Sequence, residues 1–164
     1  MQSEVLYDAV ETKPVKLELK RDNLKDYKEI LLSLSNDSHD EIEIYYLLHY
    51  LIPEDRIWLV NTVYNILKTG GKLIFKVPHW SSSREYGDLL VQWPPISESW
   101  FYHLNSQWRK ENNNLEDRYI CDFDFTWGYG MHPLLINRNI EYQQHALVFW
   151  KEAAQELIAT GIKK

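Results

Sequence analysis

The sequence is poor in cysteine and has no glycine in its first part. Cys121 is its only cysteine, which excludes an intrachain disulfide and a metal site built from cysteines alone. All six glycines lie at position 70 or later. The first 69 residues therefore contain no glycine-rich loop of the kind that brings the backbone close to a phosphate or a dinucleotide.

The sequence also lacks long apolar runs and an excess of basic residues. Its apolar runs are only a few residues long, so no segment is expected to span a bilayer. Residues 1–13 carry no basic-then-apolar leader pattern, and we therefore expect a cytoplasmic protein. The net charge of −6 argues against a nucleic-acid partner. With 164 residues, 45% of them apolar, the chain is expected to form one domain, 1–164.

The first half of the chain contains a strand–helix–strand pattern. Residues 15–20 (VKLELK) alternate apolar and charged side chains, as a half-buried strand does, and residues 42–48 (IEIYYLL) are typical of a buried strand. Pro53 opens a helix that is expected to end near Gly70, and residues 72–77 (KLIFKV) form the next strand. Because a helix joins them, the strands at 42–48 and 72–77 are expected to be parallel.

The second half of the chain favours antiparallel pairing. A short helix is predicted over 98–108 and a strand over 119–129 (YICDFDFTWGY), followed by a helix from Asn139 to about residue 156. Residues 157–162 fit either the last turn of that helix or an edge strand. We favour a strand paired with 119–129, because Gly161 would weaken a helix. The predicted fold is α/β, a parallel sheet with antiparallel strands at its C-terminal edge.

Polar side chains follow two of the predicted parallel strands. His79, Ser81 and Ser82 come directly after residues 72–77. Since ligands of open α/β sheets bind beyond the carboxyl ends of the strands, these three residues could hold a polar ligand. Alternatively, Ser83 caps a short helix and His79 lies on the surface. Tyr46 and His49 end the neighbouring strand, where plain packing is the favoured interpretation.

Two other residue groups have competing explanations. Six of the seven tryptophans lie at position 80 or later, which fits a stacking platform for a ring, but a core and a subunit interface are favoured. Asp122 and Asp124 face one side of a predicted strand, with His132 further along. A metal site would need another ligand at a recognisable spacing, so a solvated strand face is favoured and no metal is predicted.

Several stretches resemble a known family from Asp37 onward. The matching segments are Asp40-Glu41-Ile42, residues 46–53 (YLLHYLIP), residues 63–74 (VYNILKTGGKLI) and residues 77–82 (VPHWSS). They are similar to the small "type 11" bacterial and phage group of class I S-adenosylmethionine-dependent methyltransferases. The resemblance implies a Rossmann-like sheet and S-adenosylmethionine as the cofactor.

The departures from that family concern ligand-facing positions. The family's first strand and glycine motif have no counterpart here. Where the family has the motif H-x-L-E-H, this chain has YLLHY at residues 46–50. Of the family's D-P-T-H motif, this chain retains only Asp88. The resemblance therefore implies a truncated, degenerate domain that lacks the first βα cofactor-binding unit. If the site is lost, no cofactor is expected.

The resemblance also implies roles for individual residues. Asp37, Ser38 and Tyr46 would lie near the adenosine of the cofactor. On the acceptor side, the candidate residues are Ser81, Ser82 and Trp93, with His79 as the candidate base.

Three functions remain open from the sequence. The first is a methyltransferase-like protein without an intact cofactor site, the second is a non-enzymatic binding or assembly module on the same scaffold, and the third is one half of a split methyltransferase whose other half is a partner chain. Because loss of a βα unit would expose a sheet edge and apolar surface, a homo-oligomer is expected.

Overall fold

The computed structural model describes residues 13–113 and 118–164, so the expectation for the first residues of the chain lies largely outside it. A single mixed sheet contains its five strands, in the order β1-β2-β3-β5-β4. The strands are β1 (Lys16–Lys20), β2 (His39–Tyr45), β3 (Leu67–Pro78), β4 (Phe123–Met131) and β5 (Ala154–Lys163). β1, β2 and β3 are parallel, and β5 is antiparallel to both β3 and β4. The predicted α/β class and the parallel strand–helix–strand unit are confirmed.

In residues 13–113 and 118–164, five α-helices lie between the strands. They are α1 (Tyr27–Leu32), α2 (Pro53–Ile66), α3 (Glu98–Tyr102), α4 (Ser106–Glu111) and α5 (Ile140–Phe149). Single 3-10 turns span Arg21–Lys25, Leu48–Tyr50 and Ser83–Glu85. In the described residues no helix is long and apolar enough to cross a membrane.

The helix between the parallel strands begins where the sequence predicts and ends earlier. Pro53 occupies the first turn of α2, but the helix stops at Ile66 and β3 starts at Leu67. Gly70 is therefore not a helix cap. It has φ +77° inside an excursion of β3, where the pairing with β2 jumps from His39–Leu67 to Glu41–Lys72. A Cβ on Gly71 would lie 2.7 Å from the carbonyl oxygen of Lys68, so the excursion is tightly folded.

The second half differs from the prediction in several places, and β4 spans Phe123–Met131 rather than 119–129. The helix expected over 98–108 is divided into α3 and α4, because the Asn105 side chain accepts from the Trp108 N–H at 2.8 Å and starts a new helix. The last helix ends at Phe149 rather than near residue 156. Residues 157–162 do form a strand paired with β4, but β5 lies between β3 and β4, so the edge strand is β4.

One face of the sheet packs against helices and holds the core. Ile44, Phe75 and Ala159 follow one another across β2, β3 and β5 and are fully buried. The ring of Phe101 on α3 packs on this row, with its centroid 5.6 Å from that of Phe75. The aromatic residues of the second half thus contribute largely to the core.

The opposite face of the sheet carries half-exposed and charged side chains. Glu41 on β2 forms ion pairs with Lys16 on β1 and with Lys72 on β3. Ile74 and Ile158 on the same face are half-buried. Parallel sheets are normally covered on both faces. The described residues cover this face only in part, and we call it the open face.

Candidate functional site

The carboxyl ends of the three parallel strands meet at one edge of the sheet. β1, β2 and β3 end at Lys20, Tyr45 and Pro78, and are followed by Arg21, Tyr46 and His79. This is the edge at which open α/β folds bind their ligands. It is therefore the place to test the predicted site residues.

Arg21, His49, Tyr50 and Asp88 interact across this edge, and we call them the edge cluster. The Asp88 carboxylate accepts from Nη2 of Arg21 and from the hydroxyl of Tyr50, both at 3.0 Å. The Arg21 guanidinium lies 4.9 Å from the Tyr50 ring centroid, and the rings of His49 and Tyr50 are 4.1 Å apart. Asp88 thus connects the residue that follows β1 to the turn that follows β2.

Arg56, a buried arginine on α2, fixes the segment that carries Asp88. Its Nε donates to the carbonyls of Leu48 and Leu51, while Nη1 and Nη2 donate to those of Pro94 at 2.6 Å and Gln92 at 2.8 Å. The planar guanidinium can satisfy carbonyls in several directions at once. It therefore holds the segment before Pro95 against the turn after β2.

Glu85 is a buried carboxyl group beside that segment. It is 1% exposed, and neither oxygen has a hydrogen-bond partner of normal geometry. Burial raises the pKa of Glu85 to about 7, although the charge of Arg56 opposes the shift. The same desolvation, together with the charges of Arg56 and Arg21, lowers the pKa of His49 to about 4. Both groups are therefore less charged than their exposed counterparts at the same pH.

His79, the predicted base, is buried and has contacts at both ring nitrogens. Nδ1 accepts from the backbone N–H of Ser81 at 3.2 Å and lies 2.8 Å from the Ser81 hydroxyl. Because a backbone N–H can only donate, the ring proton belongs on Nε2, which donates to Glu98 at 3.2 Å. The Tyr129 hydroxyl donates to the same Glu98 oxygen at 2.9 Å. In this arrangement the imidazole has no free lone pair for a substrate proton.

Tyr46 lies at the carboxyl edge, directly after β2. It has φ +54°, its N–H donates to the carbonyl of Lys76 at 2.8 Å, and its hydroxyl donates to Glu156. Lys76 pairs with Glu156 at 3.0 Å. Tyr46 is thus tied to β3 and β5, and its contact with a cofactor stays a prediction.

Asp37 and Ser38 lie at the opposite end of β2 from Tyr46, and their contact with a cofactor stays a prediction. They precede the strand, whereas Tyr46 follows it, and the seven residues of β2 separate them. A strand of that length spans about 23 Å. Asp37 pairs instead with Lys163 at 3.0 Å, and the Ser38 hydroxyl donates to the carbonyl of Ser35.

The three residues predicted for the acceptor side have different environments. Ser81 contacts His79, as described above. Ser82 is fully buried, and its hydroxyl oxygen accepts from the Arg84 N–H at 3.3 Å, which caps the turn Ser83–Glu85. Trp93 is 76% exposed and precedes a cis-proline. The alternative that Ser83 caps a short helix and that His79 lies on the surface is therefore wrong in both residues: Ser82 is the cap, and His79 is buried.

The predicted carboxylate pair is used in structural contacts. Asp122 accepts from the backbone N–H of Ser106 at 2.9 Å and from its hydroxyl at 2.8 Å. Asp124 pairs with Lys164 at 2.8 Å. Within residues 13–113 and 118–164, no three histidine, cysteine, aspartate or glutamate side chains are placed to hold a metal ion.

A pocket beside the carboxyl edge was not anticipated from the sequence. It has a volume of about 540 Å³ and lies between the loop after β3 and the end of α5. Its lining includes Trp80, Ser81, Tyr86, Phe149, Trp150 and Lys151. No sequence pattern brings residues 80–86 and 147–151 together, because the link between them is the pairing of β3 with β5.

Comparison with known protein sequences identifies no relative. No protein-family model matches the chain. No curated protein sequence matches it either. A structure of one chain also leaves the predicted homo-oligomer and the predicted partner chain as predictions.

Comparison with solved structures identifies the fold. An S-adenosylmethionine-dependent methyltransferase from Archaeoglobus fulgidus superimposes with a TM-score of 0.55 at 18% identity, over 82% of this chain and 64% of that one. A methyltransferase from Thermotoga maritima, described as a possible histamine N-methyltransferase, gives 0.52 at 14% identity, over 94% of this chain and 84% of its own. This chain thus spans less than two thirds of the Archaeoglobus protein. Its mixed sheet has the fold of the class I S-adenosylmethionine-dependent methyltransferases.

Proposed function

We propose that this chain is a methyltransferase-fold protein without an intact S-adenosylmethionine site, and that it acts as a binding module rather than as an enzyme. The observation that carries the proposal is the edge cluster. Asp88 bridges Arg21 after β1 and Tyr50 after β2. These side chains occupy the edge at which a fold of this kind takes its ligand.

The chain around β1 supports the same conclusion. β1 continues directly into the 3-10 turn Arg21–Lys25, and no glycine precedes Gly70. A glycine-rich loop lets the backbone approach a cofactor closely, whereas here the Arg21 side chain follows the strand immediately. In addition, both ring nitrogens of His79 have protein partners, so the predicted base is already engaged.

Calorimetric titration with S-adenosylmethionine and S-adenosylhomocysteine tests the proposal. We expect no saturable heat with either compound at millimolar concentration. The variant Asp88→Ala removes the bridge of the edge cluster, and Asp22→Ala, on the exposed side of the same 3-10 turn as Arg21, is the matched control. A gain of binding in D88A alone would support occlusion by the cluster. Stoichiometric binding to the unaltered chain would refute the proposal.

A second candidate function is one half of a split methyltransferase. It is favoured by the open face, where Ile74 and Ile158 remain half-exposed although sheets of this fold are normally covered on both sides. A second polypeptide that covers this face would complete the layers and could contribute the missing cofactor residues. Purification from the native source with the chain as bait, followed by titration of the complex with S-adenosylmethionine, distinguishes this candidate. Cofactor binding by the complex alone would establish it.

A further inference from the structure

Aromatic residues from two segments line the pocket between the loop after β3 and the end of α5, and we call these two sets its walls. Trp80 and Tyr86 belong to the segment after β3, and Phe149 and Trp150 lie at the end of α5. These side chains are between 44% and 70% exposed, so a ligand can reach their rings. A volume of about 540 Å³ lies in the range of small-molecule sites. Flat rings of this kind bind planar ligands by stacking.

Hydrogen bonds hold the two walls in place. The backbone N–H of Glu152 donates to the carbonyl of Ser81 at 3.2 Å, and the Glu152 carboxylate accepts from the backbone N–H of Ser83 at 2.6 Å. On the first wall, the Tyr86 hydroxyl donates to the carbonyl of Trp80 at 3.0 Å. A ligand would therefore meet a largely preformed slot and lose little binding free energy to ordering it.

Lys151 is the charged residue among those that line the pocket. Lys151 lines it and has no hydrogen bond or ion pair within the described part of the chain. The neighbouring acid, Glu152, already accepts hydrogen bonds from Ser82, Ser83 and Gln155. The unpaired ammonium group is thus available for an anionic group on a ligand.

We propose that this pocket binds a planar aromatic molecule that carries an acidic group, with the ring between Trp80 and Trp150 and the acid on Lys151. The inference specifies the ligand class of the proposed binding module. It is independent of the edge cluster, so the cofactor titration and the experiment below can fail separately.

Three isosteric probes test the ligand class: 2-naphthoate, its neutral amide and the cationic 2-naphthylmethylamine, titrated by calorimetry. We expect one saturable site for naphthoate, with an affinity about three- to tenfold higher than for the amide, as fits a partly exposed charge pair. The amine should bind most weakly. Equal affinities for the acid and the amide, or no saturable binding of any probe, would overturn the proposal.

Substitutions separate the charge from the aromatic walls. Lys151→Met should lower the affinity for naphthoate to that for the amide and leave the amide unchanged, while Lys151→Arg should retain the preference. Lys25→Met, at an exposed position on the Arg21–Lys25 turn, is the matched control and should change nothing. Trp150→Leu should weaken the acid and the amide alike.

A second copy of the chain is the competing occupant of this surface. Val148 is 74% exposed and lines the pocket. Sedimentation of the unaltered chain and of Val148→Asp distinguishes the two cases. We expect the same sedimentation for both proteins. A dimer that V148D dissociates, combined with no probe binding to the monomer, would show an interface between copies and overturn the proposal.

Discussion

Nε2 of His79 lies 3.2 Å from Oε1 of Glu98 and donates a hydrogen bond to this carboxylate. Burial alone would raise the pKa of Glu98. The hydrogen bonds from His79, from the backbone and from Tyr129 outweigh it and hold the pKa at about 2. The imidazole is therefore used to stabilise a buried carboxylate rather than to accept a substrate proton.

The first prediction follows from this low pKa. Because the pKa of Glu98 is lower in the folded state than its ordinary value of 4.5, the carboxylate stabilises the fold above pH 4.5, and that contribution is lost as the pH falls towards 2. Glu98→Gln should lower the free energy of unfolding by about 2 kcal/mol at pH 6. The difference from the unaltered chain should shrink between pH 4.5 and 2 in urea denaturation. Glu54→Gln, at an exposed position, serves as control, and parallel pH profiles for all three proteins would contradict the prediction.

The second prediction concerns Glu85 and has the opposite sign. Its pKa is raised from 4.5 to about 7, so the folded state keeps the proton that the unfolded chain releases. The unaltered chain should lose about 2–3 kcal/mol of stability as the pH rises from 4.5 to 7. Glu85→Gln carries no titratable group and should lack this decline. A stability difference between the two proteins that stays constant from about pH 5 to about pH 8 would contradict a raised pKa of Glu85.

The third prediction tests the role of Arg56. Arg56→Met replaces the aliphatic stem with an unbranched apolar chain and removes the guanidinium, so four carbonyl oxygens lose this donor. We expect a loss of about 3 kcal/mol in the free energy of unfolding, because buried acceptors lose their partners. Arg56→Lys should recover only part of it, since an ammonium group cannot reach carbonyls in several directions. Arg138→Met, at an exposed position, should have little effect, and an equally mild result for R56M would contradict the prediction.

The fourth prediction concerns the glycine excursion within β3. A Cβ on Gly71 would lie 2.7 Å from the carbonyl oxygen of Lys68, whereas a Cβ on Gly87 would meet nothing closer than 3.5 Å. Gly71→Ala should therefore destabilise the fold by about 1–3 kcal/mol through the steric clash of its Cβ with that carbonyl oxygen, and Gly87→Ala should be nearly neutral. Thermal unfolding of the two variants compares them directly. Equal melting temperatures would show that the excursion is more adaptable than its contacts indicate.

The parts of the fold that sequence predicts correctly depend on local patterns. Alternation over 15–20 and Pro53 each mark an element within its own residues, and the apolar run at 42–48 overlaps β2, which begins at His39 and ends at Tyr45; the parallel unit follows from them. The end of α2 is predicted wrongly, near Gly70, because that glycine lies where a helix cap is expected. The helix ends at Ile66 because Leu67 pairs with His39, and this tertiary interaction is not visible in the local sequence.

The candidate site was harder to predict because its partners are distant in sequence. Glu98 and Tyr129 contact each other and His79, but they lie 19 and 50 positions beyond the histidine, with no motif joining them. Conversely, Asp37 and Tyr46 are close in sequence and lie at opposite ends of β2. Proximity along a strand is a poor guide to a shared site, because each residue of the strand moves the chain by about 3.3 Å.

The place of β5 between β3 and β4 has a consequence for how the molecule assembles. In the described residues β4 pairs with β5 alone, and the pairing of β3 with β5 joins residues as far apart as Lys72 and Ile162. During synthesis, β4 therefore has no strand to pair with until residues 154–163, which form β5, have left the ribosome. Closing so long a loop is entropically costly and slows folding. Nascent chains interrupted before that point would present an unpaired, aromatic-rich strand to the cell's chaperones.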